Sequence, residues 1–231
     1  MTIYSLGDAA VVMDLGNSID QSLNQQVNAM KVWVRDHPFD GLRDAVSAYS
    51  SLTLHYDPLV VQQHYQPKQT ISSWVQSYLT KVYDESLTME TDKEETVVIP
   101  VCYEEEFSPD LATVAETTGL TTEDVIEIHL AGLYHIYMIG FLPGFPYMGK
   151  LDPRIAVPRK SSPRMVTAGS VAITGLQTGI YPIGSPGGWQ IIGSTPVRLF
   201  DPGAEIPALL RPGQKVKFSR IEKNDYVNFD H

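Results

Sequence analysis

At 231 residues the chain is long enough for one large or two ordinary domains, each with its own core. A composition of 43% hydrophobic and 19% charged residues excludes an intrinsically disordered protein, and a formal net charge of −10 argues against a nucleic-acid binder. No apolar run approaches the roughly 20 residues that span a bilayer, and the amino terminus lacks the basic start and apolar stretch of a signal segment. A cytoplasmic protein is expected, with neither a membrane nor a nucleic acid as partner.

In chain order, the valine-rich run Ala9 to Met13 reads as a buried strand. Ser18 is the expected cap of a helix whose apolar positions Leu23, Val27, Met30 and Trp33 recur at helical spacing, and His37-Pro38 stops it. Strands follow around Asp44 to Ala48 and at Ser51 to Tyr56, the second ending before Pro58. Thr70 opens an amphipathic helix with Ile71, Trp74, Val75, Tyr78 and Val82 on one face. The charged stretch Asp84 to Glu95 reads as a linker, and Thr96 to Val101 as a strand. If that strand returns to the first sheet, the order β-α-β-β-α-β is that of a ferredoxin-like unit; if it starts the second domain, the first ends near residue 90. The expected domains are 1–90 and 91–231.

Beyond the linker, Ser108-Pro109 is a helix-start signal, and Thr121 with Asp124 three residues on resembles a capping box. From Tyr134 onward the signal is β, in the short runs YHIYMIG, SVAIT, GIYPI, WQIIG, VRLFD and QKVKFSRI, which suggests a barrel or sandwich. Cys102, in the strand-like VVIPVCY, reads as a buried structural thiol that cannot close a disulfide within this chain.

Residues 140–196 hold 10 of the 17 glycines and 8 of the 16 prolines, so the backbone must turn repeatedly there. The same segment carries Lys150, Arg154, Arg159, Lys160 and Arg164 against one acid, Asp152, a +4 island in a chain that is otherwise −14. It is either a solvated basic loop or a site for a carboxylate, a phosphate or an acidic surface. Met165 to Val197 is then uncharged, so Arg159 and Arg164 flank apolar strands that are either plain core or the lining of an anion pocket. Gly184-Ser185-Pro186-Gly187-Gly188 has the composition of an anion-binding nest as well as of a simple turn. Phe145, Tyr147, Tyr181 and Trp189 are either core or a hydrophobic groove for a partner chain. His129, on an apolar helix face, is a satisfied core histidine or a functional one. No phosphate loop, nucleophile elbow, HExxH or paired CxxC is present, and the six histidines show no metal-ligand spacing, so no metal is expected.

Taken in order, GFLPGFPYMG, PRKSSPR, AGSVAIT, QTGIYPIGSPGGWQIIGSTP and LLRPGQKVKF resemble the family variously labelled the B subunit of 5-oxoprolinase, allophanate hydrolase subunit 1 and sporulation kinase A inhibitor. Gly7-Asp8-Ala9, Tyr49-Ser50-Ser51-Leu52 and Tyr56-Asp57-Pro58 extend the likeness over nearly the whole chain. The resemblance implies an α+β fold, with a ferredoxin-like amino-terminal domain followed by a cyclophilin-like β-barrel. It implies a component that, with the A and C subunits of 5-oxoprolinase as partners, opens 5-oxoproline to glutamate using ATP; the alternative is a regulator that binds a sensor histidine kinase. On the family pattern the substrate or anion candidates are His129, Arg159, Arg164, Gln177, Ser185, Gly187 and Gly188, and the partner-groove candidates Phe145, Tyr147, Tyr181 and Trp189. No catalytic role is assigned to any of them. Thr167, Ser194, Ser47 and Gln214 depart from the pattern, and Ser194 replaces a common arginine.

Overall fold

The structure is a computed structural model that describes residues 1–16, 18–89 and 95–229. The chain divides into two compact units, Met1–Lys93 and Glu94–His231. The expected boundary at residues 90 and 91 lies outside the described residues.

The first unit runs β1 (Thr2–Ser5), β2 (Ala10–Asp14), α1 (Gln21–Asp36), β3 (Leu42–Ser47), β4 (Ser51–Tyr56), α2 (Pro58–Tyr65) and α3 (Ile71–Ser86). Its sheet has the order β1-β2-β4-β3, antiparallel throughout. Val11, Met13, Leu52, Leu54 and Tyr56 alternate onto one face and pack with Val27, Met30, Trp33 and Val34 of α1 and Val75, Leu79 and Val82 of α3. Each such aliphatic side chain contributes about 1.5–3 kcal/mol by leaving water. The α1 cap is Asp20 rather than Ser18: its carboxylate accepts from the backbone N–H groups of Ser22 (2.9 Å) and Leu23 (3.2 Å). Thr70 caps α3 as expected, accepting from Ser73 N at 3.2 Å. The helix continues through Asp84–Ser86, so the expected linker begins inside it. The helix α2 was not expected; Asp57 caps it and Pro58 occupies its first turn, so the proline that ends a strand also begins a helix.

The second unit runs β5 (Thr96–Val101), α4 (Leu111–Thr118), α5 (Thr122–Ala131), β6 (Tyr134–Ile139), β7 (Pro146–Gly149), β8 (Arg164–Val166), β9 (Ser170–Thr174), β10 (Gln177–Ile180), β11 (Ser185–Gly187), β12 (Gln190–Ser194), β13 (Lys215–Arg220) and α6 (Lys223–Val227). Thr96–Val101 does not return to the first sheet. It pairs in parallel with β13, so the β-α-β-β-α-β order is not completed, and β1 takes the edge beside β2. The run VRLFD is not a strand; only Phe200 makes a bridge, to Ala208. At α4 the cap position is Asp110, while Ser108 instead donates its hydroxyl to the carbonyls of Tyr103 and Glu104. The capping box at Thr121 and Asp124 forms as expected.

Seven strands make one sheet in the order β12-β9-β10-β7-β6-β13-β5. Its two edges meet just past the end of β5, where Cys102 N donates to Ser194 O (2.8 Å) and Ser194 N to Cys102 O (2.9 Å), giving a barrel-like enclosure. Cys102 is buried, as expected. Val101, Ile136, Met148, Val171, Ile173, Ile180, Ile192, Val216 and Phe218 share one core with Val114 of α4 and Val125 and Ile126 of α5. Gly193 lets the edges meet: a Cβ there would stand 2.7 Å from Val101 Cγ1 and 3.0 Å from Cys102 O. Among the described residues no helix is long and apolar enough to cross a membrane.

Gly193→Ala is expected to destabilise the second unit by about 1–3 kcal/mol, since its methyl group meets the buried β-branched side chain of Val101 and the Cys102 carbonyl oxygen, neither of them a flexible side-chain end. Gly188→Ala, where a Cβ meets nothing within 4 Å, is the control and should leave the thermal unfolding curve of the barrel nearly unchanged.

Candidate functional site

Strand alternation divides the barrel wall into two chemistries. Met148, Thr178, Ile180, Val171, Ile173 and Ile192 belong to the inward-facing positions, and the residues between them face the other way. There a second cluster forms from Phe145, Val166, Ala172, Tyr181, Trp189 and Ile191, with Leu142 and Tyr147 packed against it. The rings meet edge to face: Phe145 lies 4.9 Å from Tyr147, 5.1 Å from Tyr181 and 5.5 Å from Trp189, and Tyr147 lies 5.8 Å from Trp189. Glycines make the space. A Cβ on Gly179 would sit 2.8 Å from the Phe145 ring, and one on Gly187 2.5 Å from the Tyr181 hydroxyl. Phe145, Tyr181 and Trp189 are therefore enclosed as core, while Tyr147 is half-buried.

The GSPGG segment is a strand and not a nest. Ser185–Gly187 pairs antiparallel with Arg164–Val166, and no glycine in it adopts the positive φ that a nest requires. Pro186 has no N–H, which places it opposite Met165 at the non-hydrogen-bonded position and leaves Ser185 and Gly187 to pair with Val166 and Arg164. Gly188 O accepts from Lys160 N at 2.7 Å. Gln177 opens β10 opposite Thr174 at the β9–β10 turn.

His129 lies inside the barrel core, fully buried, its ring stacked 4.6 Å from Phe218. Thr178 donates its single hydroxyl proton to Ala172 O (3.1 Å), so toward His129 Nε2 (3.1 Å) it accepts. Nε2 thus carries the proton, and Nδ1 accepts from the Tyr103 hydroxyl at 2.8 Å. Burial lowers the His129 pKa to about 3. A neutral ring with both nitrogens engaged and no exposed surface offers nothing to a solvent-borne anion.

The arginines separate sharply. Arg35, Arg43, Arg154, Arg198, Arg211 and Arg220 each hold a carboxylate, at 2.6–3.1 Å. Arg159 and Arg164, both exposed, hold none among the described residues. Such exposed pairs add little stability, but they decide which guanidinium groups are available. Neighbouring Lys160 is neutralised by Asp110 at 2.5 Å, whose carboxylate also accepts from Ile191 N at 2.7 Å. Arg159 is felt at both phenols: burial raises the pKa of Tyr147 and of Tyr181, and Arg159 draws each partly back.

Phe141 stands apart from these rings. It is 64% exposed at a φ of +64°, in the tight loop that joins β6 to β7. Leu142 N donates to Gly140 O (2.7 Å), closing a γ-turn around it, and Phe145 N to Leu142 O (3.0 Å), closing a second turn with Pro143 and a left-handed Gly144 at its centre. A left-handed phenylalanine stores about 1–3 kcal/mol, and this one holds its ring out of the core, 5.8 Å from Phe145. The Leu-Pro-Gly-Phe turn signature was readable in the sequence; the strain at the preceding phenylalanine was not. Among the described residues no group of three or more His, Cys, Asp or Glu is placed to hold a metal ion.

Residues 1–210 match the family model for the carboxyltransferase domain, subdomain C and D. The chain is 46% identical to the B subunit of 5-oxoprolinase from Bacillus subtilis (strain 168), over 97% of this chain and 94% of that protein. It is 36% identical to the B subunit of 5-oxoprolinase from Escherichia coli O157:H7, over 93% and 94% respectively. Among solved structures it is similar to TTHA0988, with a TM-score of 0.78 and 36% identity, over 92% of this chain but only 40% of that one.

Trp189→Ala should cost about 3–5 kcal/mol in denaturant unfolding, the loss typical of an enclosed ring, whereas Phe141→Gly should hold or raise stability by relieving the left-handed strain. For His129 the proton is taken up on unfolding, because the unfolded pKa is near 6.5 and the folded value about 3. Its contribution is therefore complete above pH ~6.5 and is lost toward pH 3 at up to ~1.4 kcal/mol per pH unit. His129→Leu should be less stable at pH 7 yet show a correspondingly flatter stability loss over that window, measured by thermal melts of both proteins.

Proposed function

Because this chain belongs to the family of 5-oxoprolinase B subunits, we propose that it is the non-autonomous B component of an ATP-dependent complex that opens 5-oxoproline to glutamate. The observation that carries this reading is a likeness to named B subunits that runs through both units of the chain. In this reading the partners are the A and C subunits, the complex works in the cytoplasm as a hydrolase, and the second unit is a barrel of cyclophilin type. The first unit is then a rearranged relative of the ferredoxin-like arrangement, with β1 in the place of the fourth strand.

The starts of α4 and α5 do not suit a nucleoside triphosphate. Phosphates favour bare helix N-termini or glycine-rich loops. Here the first turn of α5 carries Glu123 and Asp124, with Asp124 closed onto Thr121, and α4 follows Asp110, whose carboxylate is engaged by Lys160 and Ile191 N. In this reading ATP is held by the partner subunits. What this chain offers instead is the basic, aromatic face with Arg159, Arg164, Tyr147 and the protruding Phe141. The match to 40% of a longer chain supports dependence on a partner, since the same fold occurs there joined to further polypeptide.

Purified alone, the chain should release no glutamate from 5-oxoproline and ATP. Co-expressed with the A and C subunits it should co-purify and turn the substrate over. Robust activity of the isolated chain would sink the reading, as would an inert mixture of all three; failure to associate with A and C would favour the kinase-binding alternative.

A further inference from the structure

Arg159 is fixed more firmly than its exposure suggests. The residue before it, Pro158, accepts from Gln190 Nε2 at 3.2 Å, and the residue after it, Lys160, donates its backbone N–H to Gly188 O at 2.7 Å. These two bonds pin the Arg159 backbone alongside Gly188–Gln190 and so beside Trp189. The Tyr147 ring, half-buried and 5.8 Å from Trp189, borders the same place.

The local charge is equally defined. Lys160 is held by Asp110, and between Asp152 and Asp201 the sequence has no acid at all. Among the described residues only Arg159 and Arg164 lack a carboxylate, and of the two it is Arg159 whose backbone is pinned beside Trp189. One positive charge in a planar fork matches one carboxylate, taken bidentately, better than a multiply charged phosphate chain. The neighbouring aromatic edges suit a compact, uncharged body attached to that carboxylate.

We propose that Arg159 is the carboxylate-recognition residue of a site for a small cyclic acid, with the guanidinium gripping the carboxylate and the half-buried Tyr147 bordering the ring. This rests on the 5-oxoprolinase reading for the identity of the acid, which is then 5-oxoproline. Arg159 is a binding and positioning residue here, and carries no step of amide opening.

The test titrates two probes, 5-oxoproline and 2-pyrrolidinone, the same ring without the carboxylate, into the full chain and into the complex assembled with the A and C subunits. The unaltered protein should prefer 5-oxoproline at least tenfold. Arg159→Ala should weaken 5-oxoproline by about 10- to 100-fold and erase the preference. Arg159→Lys should fall between, and Arg154→Ala, whose guanidinium is held by Asp152, should match the unaltered protein. In the active complex Arg159→Ala should raise KM with kcat little changed. The proposal is overturned if Arg159→Ala keeps full affinity, if 2-pyrrolidinone binds as well as the acid, or if neither chain nor complex binds 5-oxoproline. An active complex indifferent to Arg159→Ala leaves the reading as a 5-oxoprolinase component standing and removes the site. An inert complex in which this chain still selects the acid through Arg159 does the reverse.

Discussion

Closure of the seven-stranded sheet rests on the two backbone hydrogen bonds between Cys102 and Ser194, and much of the second unit follows from them. They bring together the two edges of the sheet, β5 and β12. A closed wall fixes an inside and an outside, and strand alternation then sorts every residue of the wall to one or the other. The inside is closed by apolar residues of α4 and α5, and its polar groups satisfy one another through the Tyr103–His129–Thr178 chain. Ser194 is thus a closure residue, buried and with its hydroxyl 3.0 Å from that of Tyr226.

The outer face is the candidate site because its glycines let aromatic rings pack against the wall and residues 153–200 contain no acid. Rings packed edge to face form a stiff floor, and the Asp110–Lys160 pair removes one charge from beside it. Protruding from that floor are two arginines with no carboxylate among the described residues, a half-buried tyrosine and a phenylalanine held out by an unfavourable backbone angle. A protein with 27 acids for 17 basic side chains has partners to spare for every cation, so the exclusion of acids from this face is a property of the site and not of the composition.

The helices α1, α3 and α5 were legible because apolar spacing and caps are local signals. Small errors at their edges have one cause: where a serine and an aspartate stand two residues apart, as at Ser18 and Asp20 or Ser108 and Asp110, the helix began beside the aspartate. The missed helix α2 shows the opposite limit, for Pro58 was read as the end of a strand when Asp57-Pro58 also writes the start of a helix. The destination of Thr96–Val101 was not legible, since its partner strand lies at the far end of the second unit. At the site, the aromatics and arginines were legible as residues and their grouping was not. GSPGG misled because composition reports which φ angles are permitted, while pairing with β8 decides which are used.

The parallel pairing of β5 with β13 also orders events in time. β5 is the first strand of its unit to leave the ribosome and β13 the last, and Thr96 sits in register with Lys215. Throughout elongation β5 therefore lacks its ladder partner, and Val98 on it remains 59% exposed even in the finished fold. The amino-terminal unit, whose sheet pairs only nearby strands, is complete long before. The barrel is in this sense assembled in one late stroke, and nascent chains stalled before Lys215 carry a finished amino-terminal unit tethered to an open, adhesive sheet edge of the sort that chaperones retain.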